Sequence, residues 1–199
     1  MIENLFPVPI YQAQVNNLDV IQSEMEGCVN NLNFNLGETL WDTHYLSDPT
    51  FSENAIQKYK LKNFAKELKV HVKKYIKSFR SSQVIPNPYD YKIKDSWFAL
   101  FKRGQYGHIH SHGDALISGA YYVNTNGKDG NIFFMCPTPA MEIHMLYSNP
   151  DRVAVLPQVG RLLLFPGWLK HGITTNKTDN NRVTLSFNLI HHNVGGGFK

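Results

Sequence analysis

Residues 160–190 read GRLLLFPGWLKHGITTNKTDNNRVTLSFNLI, and this stretch decides the class of fold. It contains the run RLLLF, a Pro-Gly turn, His171, a polar loop and a second run that begins at Arg182. Short β-rich runs separated by Gly, Pro and Asn are typical of strands joined by turns. Because RLLLF is apolar on both sides of the pleat, we predict a strand that is covered on both faces.

The same pattern extends back to about residue 91. Runs such as SWFALFK, ISGAYYV, NIFFM and VAVLP alternate with turn residues. Many short strands of this kind predict an all-β sandwich or jelly roll over about residues 91–190. Within it, AYYV and NIFFM flank a turn that contains Asn126-Gly127, and this arrangement predicts a hairpin.

Residues 16–80 have helical periodicity instead. Asn17 is a candidate N-cap, and Leu18, Ile21 and Met25 follow it at helical spacing. Residues 55–79 place one apolar stripe opposite a lysine-rich face, which predicts an amphipathic helix packed on the β part. We therefore expect a single domain over residues 1–199, mainly β with flanking helices, with helical support mostly at 16–80.

The composition indicates a folded protein: 42% of the 199 residues are hydrophobic, and the formal net charge is +4. Most of the excess lysine lies along the helix face, so nucleic acid is not an expected partner. The two cysteines form no CxxC pair, which argues against a disulfide framework or a zinc knuckle. We expect a cytoplasmic protein without a membrane partner, because no signal-peptide pattern or long apolar run is present. The oligomeric state is left open.

Residues 108–114, HIHSHGD, place possible metal ligands at every second position. In a strand such residues share one face, with Cα atoms about 6.6 Å apart. Ligand atoms must lie within about 2.0 to 2.2 Å of one ion, so only neighbours in this series can share it. The candidate pairs are His110 with His112, and His112 with Asp114.

The run that begins at Arg182 carries a polar row. Arg182, Thr184, Ser186 and Asn188 share one face of the predicted strand, while apolar residues share the other. A polar row that faces the interior and begins with an arginine indicates a buried anion site.

Four ordered segments, HSHGDALISGAYYV, GRLLLFPGWLKHGI, NNRVTLSFN and the N-terminal LFPVPIY, carry a resemblance. Together they resemble the 2-oxoglutarate and Fe(II)-dependent oxygenase family of bacteria and phages, with its HxH, SGxYY, LFPxxxxH and RxxxSFN segments. The resemblance covers about residues 96–189 in the right order, together with the N-terminal segment. It implies a double-stranded β-helix, which is a cupin-like jelly roll.

The resemblance also implies a site that holds Fe(II) through two histidines and a carboxylate and leaves coordination positions free. By this resemblance His112, Asp114 and His171 bind iron and form the catalytic centre. The cosubstrate 2-oxoglutarate would chelate the iron, and O₂ would take the remaining position.

The resemblance further implies a binding site for the distal carboxylate of 2-oxoglutarate. Arg182 would hold this carboxylate as a two-pronged donor. Thr184 or Ser186 could add a hydroxyl. Tyr122 would contribute if the strand keeps its phase from the histidine segment, and a bulge would give that place to Tyr121.

The family pattern leaves the third iron ligand open, because the position of Asp114 is not reliably acidic in relatives. Asp114 is the expected ligand, and His110 is the alternative, which would make a site of three histidines. Glu142, two residues before His144, is a further acid that could complete the site.

The expected function is an iron and 2-oxoglutarate-dependent dioxygenase, most simply a hydroxylase of unknown substrate. A non-catalytic, cupin-like jelly-roll protein that binds a metal and an anion is the alternative. A structural jelly roll of a virion would leave the inward arginine unexplained.

Overall fold

A computed structural model describes residues 8–37, 41–78, 91–137 and 152–191. Its helices are α1 (Leu18–Val29), α2 (Ala55–Lys58) and α3 (Lys62–Ser78). Its strands are β1 (Tyr11–Gln14), β2 (Asn35–Leu36), β3 (Tyr45–Leu46), β4 (Tyr91–Phe101), β5 (Gly107–His110), β6 (Ile117–Asn124), β7 (Ile132–Met135), β8 (Arg152–Val155), β9 (Arg161–Pro166), β10 (His171–Ile173) and β11 (Arg182–His191).

The strands form two antiparallel sheets. The larger sheet has the order β1-β9-β6-β11-β4-β3-β2, and the smaller has the order β5-β10-β7-β8. From β4 to β11 the chain passes repeatedly between the two sheets, which is the topology of a jelly roll. The predicted fold class, a mainly β double-stranded β-helix with flanking helices, is confirmed.

The strand β9 contributes side chains to a hydrophobic cluster on each face of the larger sheet. Leu162 and Leu164 pack in the cluster that joins the larger sheet to the helices, and Leu163 and Phe165 pack in the cluster between the two sheets. All four side chains are buried. The predicted coverage of RLLLF on both faces is confirmed, because successive side chains of a strand point to opposite faces.

The predicted hairpin of AYYV and NIFFM is wrong. The strand β6 pairs with β9 and β11, whereas β7 pairs with β10 and β8 in the other sheet. The connection between them is fixed by the buried carboxylate of Asp129, which accepts hydrogen bonds from Thr125 Oγ1, Asn126 N and Asn180 Nδ2. This loop therefore carries the chain from one sheet to the other.

The helix predicted over residues 55–79 is divided in two. The break lies at Tyr59 and Lys60, and Lys60 has a positive φ of 53°. The described part of the longer piece, α3, buries Phe64, Leu68, Val72 and related side chains against the larger sheet, as its apolar stripe predicts. The predicted N-cap Asn17 precedes α1, but its side chain makes no capping hydrogen bond.

Among the residues that the structure describes, no helix has the length and apolar character needed to cross a bilayer. The jelly roll places two chemically different walls around one interior. The smaller sheet contributes His110 and His171, and the larger sheet contributes the polar row of β11.

Candidate metal and 2-oxoglutarate site

Three histidines converge where β5 and β10 meet. His110 ends β5 and pairs in register with His171, which begins β10. His112 follows after β5, where its backbone N–H donates to Gly167 O at 2.8 Å. One ring nitrogen from each histidine lies within 4.8 Å of the others, so small ring rotations would bring all three onto one ion. Imidazole is a ligand that suits iron, as well as zinc, copper and nickel.

Backbone carbonyls select the ring nitrogen that faces the cavity. His110 Nδ1 lies 2.8 Å from His108 O, and His171 Nδ1 lies 2.9 Å from Leu169 O. A carbonyl oxygen only accepts, so in both rings the proton is on Nδ1 and the lone pair is on Nε2. Metal-binding histidines usually have this second interaction, because it fixes the tautomer and the orientation of the ring.

The three imidazoles are neutral at neutral pH. Burial lowers the pKa of His110, and burial together with the nearby His110 lowers the pKa of His112 to about 3. Burial also holds the pKa of His171 well below its usual value. A neutral imidazole has a free lone pair, so the cluster needs no deprotonation before it binds a cation.

Asp114 lies outside this cluster. Its side chain is 69% exposed and forms an ion pair with Lys94. The Lys94 ammonium holds the pKa of this carboxyl below its usual value. Glu142, the other candidate acid, lies outside the described residues.

Arg182 lies in the same cavity as the histidines and is 1% exposed. Its guanidinium carbon lies 5.1 Å from the centre of the Phe101 ring and 5.2 Å from that of the Tyr122 ring. Among the described residues, neither Nε nor Nη1 has a hydrogen-bond partner. A buried cation with free donors is costly unless an anion completes its surroundings.

The other residues expected around the carboxylate lie close to Arg182. Tyr122 is fully buried, and its ring lies against the Arg182 guanidinium. Tyr121 instead packs against Phe64 on the helical side. Thr184 and Ser186 line the cavity from β11. Arg182, Thr184 and Ser186 thus line the cavity that also contains the three histidines, and Tyr122 packs against Arg182.

His44 also lines this cavity, although the sequence indicates only a surface or boundary position for it. It is 4% exposed and stacks on Phe101, with ring centres 4.4 Å apart and an angle of 9° between the rings. Burial, then the nearby charges of His110 and Arg182, lower its pKa to about 4. No spacing motif connects His44 to the other site residues, so the sequence alone carries no signal for it.

Comparison with known proteins agrees with this geometry. Residues 95–188 match the model of a family described as "Putative 2OG-Fe(II) oxygenase". No curated protein sequence matches the chain.

Solved structures of low sequence identity share the fold. The non-heme alpha ketoglutarate dependent epimerase SnoN from nogalamycin biosynthesis is 10% identical, with a TM-score of 0.65 over 96% of this chain and 84% of that one. HygX from Streptomyces hygroscopicus, with nickel and 2-oxoglutarate bound, is 10% identical, with a TM-score of 0.62 over 92% and 82%. A Pseudomonas putida prolyl-4-hydroxylase is 14% identical, with a TM-score of 0.55 over 91% and 92%.

The family match covers the three histidines and Arg182. The donor set fits Fe(II), and the unpartnered arginine fits a dicarboxylic keto acid. The region 95–188 is therefore that of a 2OG-Fe(II) oxygenase, a dioxygenase that uses iron and 2-oxoglutarate.

Proposed function

We propose that the protein is a hydroxylase in which His110, His112 and His171 hold Fe(II) and Arg182 anchors 2-oxoglutarate. One observation carries the proposal: a buried guanidinium with free donors shares a cavity with three neutral imidazoles. Bound iron with O₂ would supply the oxidising power that converts a substrate C–H to C–OH while 2-oxoglutarate becomes succinate and CO₂.

The residues of this chain perform binding and positioning. The planar guanidinium of Arg182, whose Nε and Nη1 have no partner among the described residues, presents N–H donors in a fork that matches the two oxygens of a carboxylate. The hydroxyl of Thr184 lines the same cavity and can add a neutral donor, and the Tyr122 ring contacts the guanidinium of Arg182. A short dicarboxylate held at Arg182 would extend its keto acid end toward the three histidines.

We favour hydroxylation because it requires no catalytic side chain beyond those that position the metal and the cosubstrate. The described residues that line the cavity are aromatic, aliphatic and hydroxyl side chains in addition to the histidines and Arg182, and none of them is a carboxylate. This lining supports an apolar C–H group as the reacting part of the substrate.

The sequence leaves Asp114, His110 and Glu142 open as the third ligand. The contacts favour His110, because its Nδ1 is already bonded to a backbone carbonyl and its ring contacts His171 at 4.4 Å. Asp114 is instead exposed and paired with Lys94.

Anaerobic addition of Fe(II) and 2-oxoglutarate tests the proposal, because a keto acid chelated to Fe(II) gives a visible charge-transfer band. We expect His110→Ala and His171→Ala to abolish this band, and Asp114→Ala and the control His108→Ala to retain it. Loss of the band in Asp114→Ala with retention in His110→Ala would make Asp114 the ligand. Succinate release in air distinguishes turnover from binding alone, and bound cosubstrate without succinate would contradict an enzyme.

A further inference from the structure

His44 lies in one row with Phe101 and Arg182 across three neighbouring strands of the larger sheet. Arg182 of β11 pairs in register with Phe101 of β4. His44 directly precedes β3, and the pairing of Tyr45 with Leu100 places it beside Phe101 on the other side of β4. Arg182 and His44 therefore lie against opposite faces of the Phe101 ring. The guanidinium carbon is 5.1 Å and the imidazole centre 4.4 Å from the centre of that ring.

The imidazole of His44 has a nitrogen available to a ligand in the metal cavity. His44 lines this cavity and is 4% exposed. Among the residues that the structure describes, Thr43 Oγ1 is the only hydrogen-bond partner of the ring, 3.2 Å from Nδ1. Because a hydroxyl can donate as well as accept, Thr43 can donate to Nδ1 and leave the proton of the neutral ring on Nε2. Nε2 can then donate to an anion in the cavity.

The contacts of Trp41 place His44 near the metal end of the cavity. The Trp41 ring contacts the ring of His110 edge-on, with centres 4.7 Å apart, and contacts the ring of His44 edge-on, with centres 6.2 Å apart. His110 is a proposed iron ligand, whereas Arg182 lies across the Phe101 ring from His44. The row therefore offers hydrogen-bond donors at two separate places, one for each end of a short dianion.

We propose that His44 is a cosubstrate-binding residue whose Nε2–H donates to the keto acid end of 2-oxoglutarate, while Arg182 holds the distal carboxylate. This inference rests on the proposed function. His44 lies outside residues 95–188, the part of the chain that matches the family.

A neutral donor suits this position. Burial, with smaller effects from the nearby His110 and Arg182, lowers the pKa of His44 to about 4, so its ring is neutral at neutral pH. A cation at this place would be repelled by the iron beside it, whereas a neutral N–H bonds the anion without that cost.

Anaerobic titration of the Fe(II) protein with two keto acids separates the two ends of the cosubstrate. Pyruvate has the keto acid end of 2-oxoglutarate but no distal carboxylate. We expect His44→Phe, which keeps a ring against Phe101, to weaken binding of both acids by about 10-fold or more, because it removes a hydrogen bond to a charged group. Arg182→Ala is expected to weaken 2-oxoglutarate binding and to leave pyruvate binding nearly unchanged. The charge-transfer band measures each affinity.

Two further variants separate the hydrogen bond from damage to the segment. His44→Gln keeps an N–H donor, so it is expected to bind both acids more tightly than His44→Phe does. Tyr45→Ala is the matched control. Tyr45 is the next residue, has Lys102 Nζ over its ring at 4.6 Å, and is not among the described residues that line the cavity. We expect this variant to lose stability while both affinities stay the same.

Mn(II) binding and thermal unfolding complete the test. We expect His44→Phe to stay folded and to bind Mn(II) like wild type, because His44 is not a proposed metal ligand. Weaker Mn(II) binding by this variant would make His44 a ligand and overturn the inference.

The inference and the proposed function fail in different ways. Equal affinities of wild type and folded His44→Phe for both acids would overturn the inference alone, and so would a loss in His44→Gln as large as that in His44→Phe. A loss confined to 2-oxoglutarate, or no pyruvate band in wild type, would overturn the assignment to the keto acid end. A wild type that forms no band with 2-oxoglutarate would instead overturn the proposed function, and the inference with it.

Discussion

Arg182 carries its positive charge where water does not reach it. The faces of Phe101 and Tyr122 compensate only part of this charge, since cation–π contacts are weaker than an ion pair with two hydrogen bonds. The remaining donors require an anion, and a carboxylate has the matching planar geometry.

Arg182→Ala is therefore expected to weaken 2-oxoglutarate binding by about 30-fold or more, because truncation of a buried charged partner typically costs about 2–5 kcal/mol. Arg182→Lys is expected to restore only part of this binding, since a lysine cannot bond both oxygens in parallel. Titration of the charge-transfer band with 2-oxoglutarate measures the effect. The control is Arg103→Ala, which removes an exposed pair with Asp179. Equal loss of metal and keto acid binding would contradict the role of Arg182.

The sequence predicts some of these residues better than others. The alternation after Arg182 predicts the polar row, because the pairing of β11 with β4 keeps a continuous register from Arg182 to Asn188. The sequence favours Asp114 as the third ligand and keeps His110 as the alternative, because β5 ends at His110 and the alternation of the strand ends with it. The backbone N–H of His112 donates to Gly167 O, and Asp114 forms an ion pair with Lys94. Neither contact is local in sequence.

At the scale of elements, the segment that precedes α2 covers the site. It carries Trp41 and His44, and the Trp41 ring contacts the ring of His110 edge-on with centres 4.7 Å apart. The cavity between this segment and the sheets has a volume of about 50 Å³. A cavity of this size has room for a few water molecules, and 2-oxoglutarate, with ten non-hydrogen atoms, is larger. We therefore expect cosubstrate binding to move this wall.

We expect tryptophan fluorescence to report that movement. Addition of Mn(II) and 2-oxoglutarate should change the emission of wild type, and Trp41→Phe should lose most of the change. Trp168→Phe is the control, because Trp168 is 54% exposed and is absent from the cavity lining. A keto acid that binds without any change in emission would contradict movement of this segment.

Sequence periodicity predicts the elements of this fold but not all of the pairings between its strands. Periodicity predicts the strands of the jelly roll and the amphipathic α3 because burial on one face leaves a mark on the sequence. It does not predict the partner of β6, since Asn126-Gly127 is compatible both with a hairpin and with a crossing between sheets. The buried carboxylate of Asp129 stabilises the crossing from β6 to β7 in the other sheet. Its contacts include Asn180, which lies far along the chain.

For the whole molecule, buried neutral histidines couple stability to pH. His44 has its pKa lowered to about 4 and His112 to about 3, and burial also lowers the pKa of His110 and His171. In the unfolded chain these groups take up protons near pH 6.5. Below that pH the unfolded state binds more protons than the folded state, so stability falls as the pH falls.

The metal-free protein should therefore unfold at progressively lower temperatures from pH 6.5 to pH 5. Each such histidine contributes up to about 1.4 kcal/mol per pH unit in this range. His44→Phe, which preserves stacking on Phe101, is expected to reduce the slope. Thermal unfolding at several pH values measures this dependence. An unfolding temperature that is independent of pH, or a slope that His44→Phe leaves unchanged, would contradict the assignment of neutral buried imidazoles.

The central claim is that three histidines and one arginine form a single site for iron and 2-oxoglutarate. A crystal structure of the anaerobic complex with Fe(II) and 2-oxoglutarate tests it most directly. We expect Nε2 of His110, His112 and His171 at about 2.0–2.2 Å from the metal, with the distal carboxylate bonded to the guanidinium of Arg182. A metal bound by Asp114 in place of His110, or a carboxylate bound away from Arg182, would contradict the claim.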